Sequence, residues 1–201
     1  VTSDPIGTLL RLQSAVGSYY GPMTSATDSP YNEQFISPFM SGLQLIALAR
    51  HNRGAETQTM IERLWGTMMR KEPGTMWEAM SLSGAPKALN RGRLSQGITS
   101  LAHGWSTAPT YVLPAYVVGL RPTSPGWKTW EVAPMPLKLR WAEATAWTPL
   151  GFITASWHRE GKGLRVRVHA PRGTSGVISS RLCGKKVRVT SREASKFIPL
   201  C

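Results

Sequence analysis

Cysteine is nearly missing from this chain. Cys183 and Cys201 are the only two among 201 residues, and histidine occurs four times. No CxxC or Cys/His pair has the spacing of a zinc site, so no metal is expected. The two cysteines fall close together at the C-terminal end. They either pin the tail with a disulfide in an oxidising compartment or remain free thiols. Acidic residues are also scarce, 11 against 24 Lys and Arg, which leaves a net charge of +13. That imbalance points toward a polyanion as partner. No apolar run approaches the roughly 20 residues that cross a bilayer. Val1-Thr-Ser-Asp-Pro5 lacks the charged and apolar regions of a signal peptide and an initiator Met, as expected of a processed or excised piece. A P-loop, a Gly-rich dinucleotide turn, an HExxH pair and a nucleophile elbow are all missing. Nucleotide-dependent, zinc-peptidase and serine-hydrolase chemistry therefore has no motif here.

What is abundant is tryptophan, with eight residues. Indole is costly to leave in water, so each Trp marks core or a surface that meets a ligand. Hydrophobic residues make up 41% and charged residues 17%, a globular composition large enough to bury a core.

The chain changes character near residue 122. Before it the periodicity is helical. Pro5 to Tyr20 repeats apolar residues at a helical period after an Asp4-Pro5 start, and Gly21-Pro22 ends it. Ser37-Pro38 repeats that start signal, and the helix it opens, to Ala49, is apolar on most faces and reads as an inner helix. His51 follows as a C-terminal cap. Ala55 to Arg70 is amphipathic and reads as an outer helix. A long loop then runs to about Ser100. A last helix spans about Thr107 to Val118, with a kink expected at Pro114. Successive inner and outer helices would bring the loop before Ser37, the loop after Arg70 and the segment at His103 to one rim.

After Pro122 short alternating runs lie between Gly and Pro punctuation. Strands are expected over Trp127–Val132, Leu137–Trp141, Ala144–Trp147, Gly151–Trp157 and Leu164–Val168, with two more over Val177–Leu182 and Lys186–Thr190. Gly161-Lys-Gly163 signals a hairpin. The fold class is thus α+β: helical hairpins over 1–121, then an antiparallel β-sandwich over 122–201. In Gly163-Leu-Arg-Val-Arg-Val-His169 cations alternate with apolar residues. That is a solvated sheet face or a contact for an anionic polymer. Nucleic acid ranks last as that polymer, because few aromatics are interleaved with the cations.

Two segments suit sugar chemistry. Gly74-Thr-Met-Trp-Glu78 sets a carboxylate beside an indole in a loop. Sugars present C–H faces that stack on indole, and glycoside cleavage needs a carboxylate beside the anomeric carbon. His103-Gly-Trp105 offers an imidazole and an indole just before a helix start.

In order, Glu33-Gln-Phe-Ile-Ser-Pro-Phe-Met-Ser-Gly-Leu-Gln44, Trp65-Gly-Thr-Met68, Gly74-Thr-Met-Trp-Glu78, Ser100-Leu-Ala-His-Gly-Trp105, Val117-Val-Gly-Leu-Arg-Pro122, Pro125-Gly-Trp127 and Thr148-Pro-Leu-Gly151 resemble the C-terminal part of fungal α-L-rhamnosidases and their relatives in glycoside hydrolase family 78. The resemblance runs to about residue 178. It implies a six-hairpin (α/α)6 barrel, of which 1–121 would be the last part, followed by the β-sandwich. It also implies a secreted enzyme that hydrolyses terminal α-L-rhamnose from glycosides or pectic polysaccharide with inversion and no cofactor. Glu78 matches the family's general base, and His103 its active-site histidine. Trp77 and Trp105 would bind substrate. The general acid lies well upstream in the family, so this chain would need an N-terminal part, in cis or as another chain. Asp28 and Glu33 share the expected rim but are not promoted to acid. Ala108 stands where the family pattern leads one to expect glycine. The alternative reading is a non-catalytic module that binds carbohydrate or an anionic polymer.

Overall fold

The computed structural model describes residues 35–81, 83–86, 100–181, 183–190 and 192–200. The expected helix over Pro5–Tyr20, and the residues Asp28 and Glu33, lie outside them. The chain separates into two compact units, Val1–Pro109 and Thr110–Cys201. The described residues mix helices with largely antiparallel sheets and do not include a closed barrel.

In the first unit, helix α1 spans Pro38–Arg50. Its start follows from the sequence. The Ser37 hydroxyl accepts from the Met40 N–H at 3.3 Å, and Pro38 occupies the first position, where no N–H is needed. His51 caps the other end, its N–H donating to the Ala47 carbonyl at 3.0 Å. Leu45, Leu48 and Ala49 are buried, whereas Phe39 and Leu43 remain exposed. Helix α2, Gly54–Met60, continues into one π-helical turn, Ile61–Trp65, and then into α3, Gly66–Arg70. The π turn keeps Leu64, Trp65 and Met68 buried together with Met60. The expected amphipathic helix is therefore present over nearly the expected span, with one widened turn inside it.

A 3-10 turn, Gly104–Ser106, precedes helix α4, Ala108–Val112, and a second π turn, Leu113–Val118. Pro114 sits at the start of that π turn, where its missing N–H is tolerated, so the expected disruption becomes a change of helix type. Gly119 closes the turn at φ +90°. A Cβ there would lie 2.3 Å from the Ala133 carbonyl carbon, so both the backbone angle and the space require glycine.

The second unit holds two four-stranded sheets. The first has the order β1 (Leu120–Pro122), β2 (Thr129–Val132), β6 (Ser175–Ser179), β7 (Lys186–Val189). The pair β2 and β6 is parallel and the others are antiparallel. The second sheet has the order β3 (Trp141–Thr148), β4 (Gly151–Glu160), β5 (Gly163–His169), β8 (Glu193–Pro199), all antiparallel. One apolar cluster joins them. It takes Trp130, Val132, Ile178 and Val189 from the first sheet and Ile153, Trp157, Leu164, Val166 and Ile198 from the second. The Trp157 indole N–H donates to the Val117 carbonyl at 3.0 Å, which satisfies a polar atom inside that cluster.

Three expectations change here. Leu137–Arg140 is not strand: Leu137 is in the left-handed region at φ 51°, and pairing begins at Trp141. Strand β8 was not expected, because its alternation is weak and it ends in Pro. It forms because β5 offers it a complete register from His169↔Glu193 to Gly163↔Pro199. The short strand β1 likewise exists through its pairing with β2. Cys183 is disulfide-bonded, and Cys201 lies outside the described residues.

Candidate functional site

The loop after α3 and the segment before the 3-10 turn run side by side. The His103 N–H donates to the Met76 carbonyl at 2.7 Å, and the Glu78 N–H donates to the Ser100 carbonyl at 2.8 Å. The Thr75 hydroxyl adds a bond to the Leu101 carbonyl. These bonds fix the position of the Glu78 backbone relative to His103, although 24 residues lie between them in sequence. Ser100 contributes twice, since its own N–H also donates to Glu78 Oε2 at 3.0 Å. The carboxylate is thus held by a charge-assisted bond from the main chain. Glu78 is half-buried.

Trp77 and Trp105 part company. Trp77 is wholly buried, so its rings offer no face to a ligand here. Its backbone N–H meets Met68 Sδ at 3.2 Å, and its indole Nε1 has no hydrogen-bond partner among the described residues. Trp105 is 72% exposed. Its indole lies 5.3 Å from the Phe39 ring and 5.9 Å from the His103 ring, the latter edge-on. The 3-10 turn that carries Trp105 is anchored beneath, because Trp65 Nε1 donates to the Ser106 carbonyl at 2.6 Å. Gly42 lets the chain approach α1 here, since a Cβ at that position would fall 2.7 Å from the Ala108 side chain.

The structure therefore runs the segments that carry Glu78 and His103 side by side and sets the exposed Trp105 indole against the His103 and Phe39 rings, next to the N-terminal end of α1. Such a surface can accept hydrogen bonds from hydroxyls and stack the apolar face of a ring. Phe39 and Ser100 belong to it although the sequence did not single them out. Phe39 had one signal, its place just after the Ser37-Pro38 helix start. Ser100 acts through its backbone, which leaves no mark in side-chain chemistry. Among the described residues no three His, Cys, Asp or Glu side chains are grouped to hold a metal ion. No helix of the described residues is long and apolar enough to cross a membrane.

Comparison with known proteins bears on this arrangement. A family model described as the bacterial α-L-rhamnosidase C-terminal domain matches residues 119–191. No curated protein sequence matches the chain. Among solved structures, the native α-L-rhamnosidase of Aspergillus terreus is similar with a TM-score of 0.67 and 20% identity, over 80% of this chain and 19% of that one. The GH78 family rhamnosidase of Bacillus sp. GL1 is similar with a TM-score of 0.61 and 29% identity, over 73% of this chain and 15% of that one. The α-L-rhamnosidase of Dictyoglomus thermophilum gives a TM-score of 0.66 at 15% identity, over 82% of this chain and 21% of that one. The first and third likenesses are ones of fold. The chain spans no more than about a fifth of the length of these structures. Over residues 119–191 the chain is thus similar in sequence to the C-terminal domain of bacterial α-L-rhamnosidases, and over most of its length similar in fold to rhamnosidases of glycoside hydrolase family 78.

Proposed function

We propose that this chain is the C-terminal portion of an inverting glycoside hydrolase that releases terminal α-L-rhamnose, with Glu78 as general base. The observation that carries the reading is the pairing of Met76–Glu78 with Ser100–His103, which sets carboxylate and imidazole on neighbouring segments. The comparison with rhamnosidases supports the class. In this reading 1–121 is the last part of an (α/α)6 barrel and 122–201 is a β-sandwich.

Inversion needs two carboxylic groups. One protonates the leaving oxygen, and the other takes a proton from a water attacking the opposite face, about 6.5–9.5 Å away. Glu78 takes the water's proton as the C–O bond to the sugar forms. Ser100 holds that carboxylate in place. His103 supports the site through its fixed backbone, and Trp105 stacks on the sugar. Trp77 supports Glu78 from the core, which replaces the direct substrate contact expected of it. The general acid is contributed by the upstream barrel, in cis or as a partner chain. The substrate is a rhamnose-ended glycoside or polysaccharide and the setting is secreted, in keeping with the disulfide on Cys183.

The test is Glu78→Gln in the enzyme joined to its upstream barrel. Glutamine keeps the size and still accepts from the Ser100 N–H. The expected result is a fall in kcat of about a thousandfold, with KM changed by less than a few-fold. A kcat near that of the parent enzyme would remove Glu78 from the base role.

A further inference from the structure

The outer face of the β3-β4-β5-β8 sheet carries large aromatics in water. Trp141 is 68% exposed, Trp147 79% and Phe152 61%. The register arranges the face in rows. Trp147 lies opposite Phe152 at one end. Next come Thr145, Thr154, His169 and Glu193, then Glu143, Ser156, Arg167 and Ser195. Trp141, His158, Arg165 and Phe197 close the other end. The two indoles stand six positions apart on one strand, which is about 20 Å. In the two middle rows, on β4, β5 and β8 beside the strand that carries the indoles, a groove of about 440 Å³ is lined by Thr154, Ser156, Arg167, His169, Glu193 and Ser195.

We infer that this face binds an extended acidic glycan, a polysaccharide chain bearing uronic-acid carboxylates. Protein interfaces place apolar residues at the centre and polar ones at the rim. Here the order is reversed, with aromatics at the ends and hydroxyls and charges between. That order suits a chain of rings whose C–H faces stack on Trp147 and Trp141 while its hydroxyls and carboxylates meet the middle rows. Arg165 is engaged by Glu160 in an ion pair. Arg167, in the groove, has no carboxylate partner among the described residues and is the group to receive a uronate. Charge complementarity extends beyond the face, because residues 110–201 hold 15 Lys and Arg against 4 Glu. Single-stranded nucleic acid also combines stacking with negative charge. However, Glu143 and Glu193 on this face accept hydrogen bonds from sugar hydroxyls, which a glycan offers on every ring and a nucleotide largely lacks. The inference stands on the second unit alone and does not depend on Glu78.

Titration of the whole chain with an oligogalacturonide, followed by tryptophan fluorescence and calorimetry at low and at 0.3 M salt, tests it. Saturable binding is expected, weakened but retained in the higher salt, since stacking is not screened. Trp141→Ala with Trp147→Ala should lower affinity at least tenfold. Arg167→Gln, at an exposed side chain with no hydrogen bond or ion pair among the described residues, should lower it at least threefold and flatten the salt dependence. Met69→Ala, at an exposed position of the first unit, should leave it unchanged. Failure to saturate at millimolar oligomer, equal affinity in both Trp and Arg variants, or tighter binding of oligothymidylate than of oligogalacturonide would each overturn the inference.

Discussion

Glu131 shows how one side chain is balanced in the second unit. Burial pushes its carboxyl up, but hydrogen bonds from Arg121 and Ser179 and the charges of Arg121 and Arg181 outweigh burial and hold it below the usual 4.5. The Arg121 guanidinium sits 2.7 Å from Glu131 Oε2 and also faces the Tyr116 ring. A carboxyl depressed on folding adds stability above its unfolded pKa and loses it as pH falls through the folded value. The melting temperature should therefore drop as pH is taken from 7 to below 4.5. Glu131→Gln should melt lower at pH 7 and show a shallower acid loss; an unchanged slope would place the acid sensitivity elsewhere. Arg121→Ala should cost about 1–3 kcal/mol at pH 7, because it leaves a half-buried carboxylate short of a partner. At this scale the site was half legible. Trp77-Glu78 and His103-Gly-Trp105 were visible as pairs of residue types suited to sugars. Which indole faces solvent was not, because burial of Trp77 follows from contacts near Met68 that no local pattern encodes. The eight tryptophans divide accordingly: Trp65, Trp77, Trp130 and Trp157 are core, Trp105, Trp141 and Trp147 are exposed, and Trp127 packs partly on the core.

Elements with strong end signals were readable, and those defined by a partner were not. Ser37-Pro38 announces α1, and Gly161-Lys162 announces the β4–β5 hairpin through the left-handed Gly161. Strands β1 and β8 owe their existence to β2 and β5, so their own residues carry little signal. The π turns were invisible for a similar reason. A widened turn keeps Trp65 on the buried side, and that choice is made by packing rather than propensity. Gly119 is the element boundary with the least tolerance. Gly119→Ala would combine a left-handed backbone with a clash against Ala133, so it should destabilise by about 3 kcal/mol or more. Urea unfolding would show this as a lower midpoint with an unchanged slope. A midpoint within 1 kcal/mol of the parent would mean that the Ala133 strand yields easily.

For the molecule as a whole, the reading of a catalytic portion without its acid has a direct consequence. The 201-residue chain alone should release no nitrophenol from 4-nitrophenyl α-L-rhamnoside above the buffer blank. Measurable turnover would show that the acid lies within this sequence. The two-part composition was legible as a switch from helical to alternating periodicity near residue 122, while the compact units divide after Pro109. The difference arises because the last helical turns, Leu113–Val118, supply Val117 and Val118 to the β core.

The parallel pairing of β2 with β6 bears on how this unit acquires its structure. Strands β3, β4 and β5 are joined by two-residue turns, so their ladders close over short distances. The β2–β6 ladder must bring Thr129–Val132 against Ser175–Ile178 with the whole β3-β4-β5 meander in between. Closing a loop of that length costs chain entropy before any ladder bond forms. The meander is thus the natural nucleus, and the sheet containing Trp130 is a late-assembling lid on it. Contacts across β2 and β6 then govern how fast the unit comes apart more than how fast it forms.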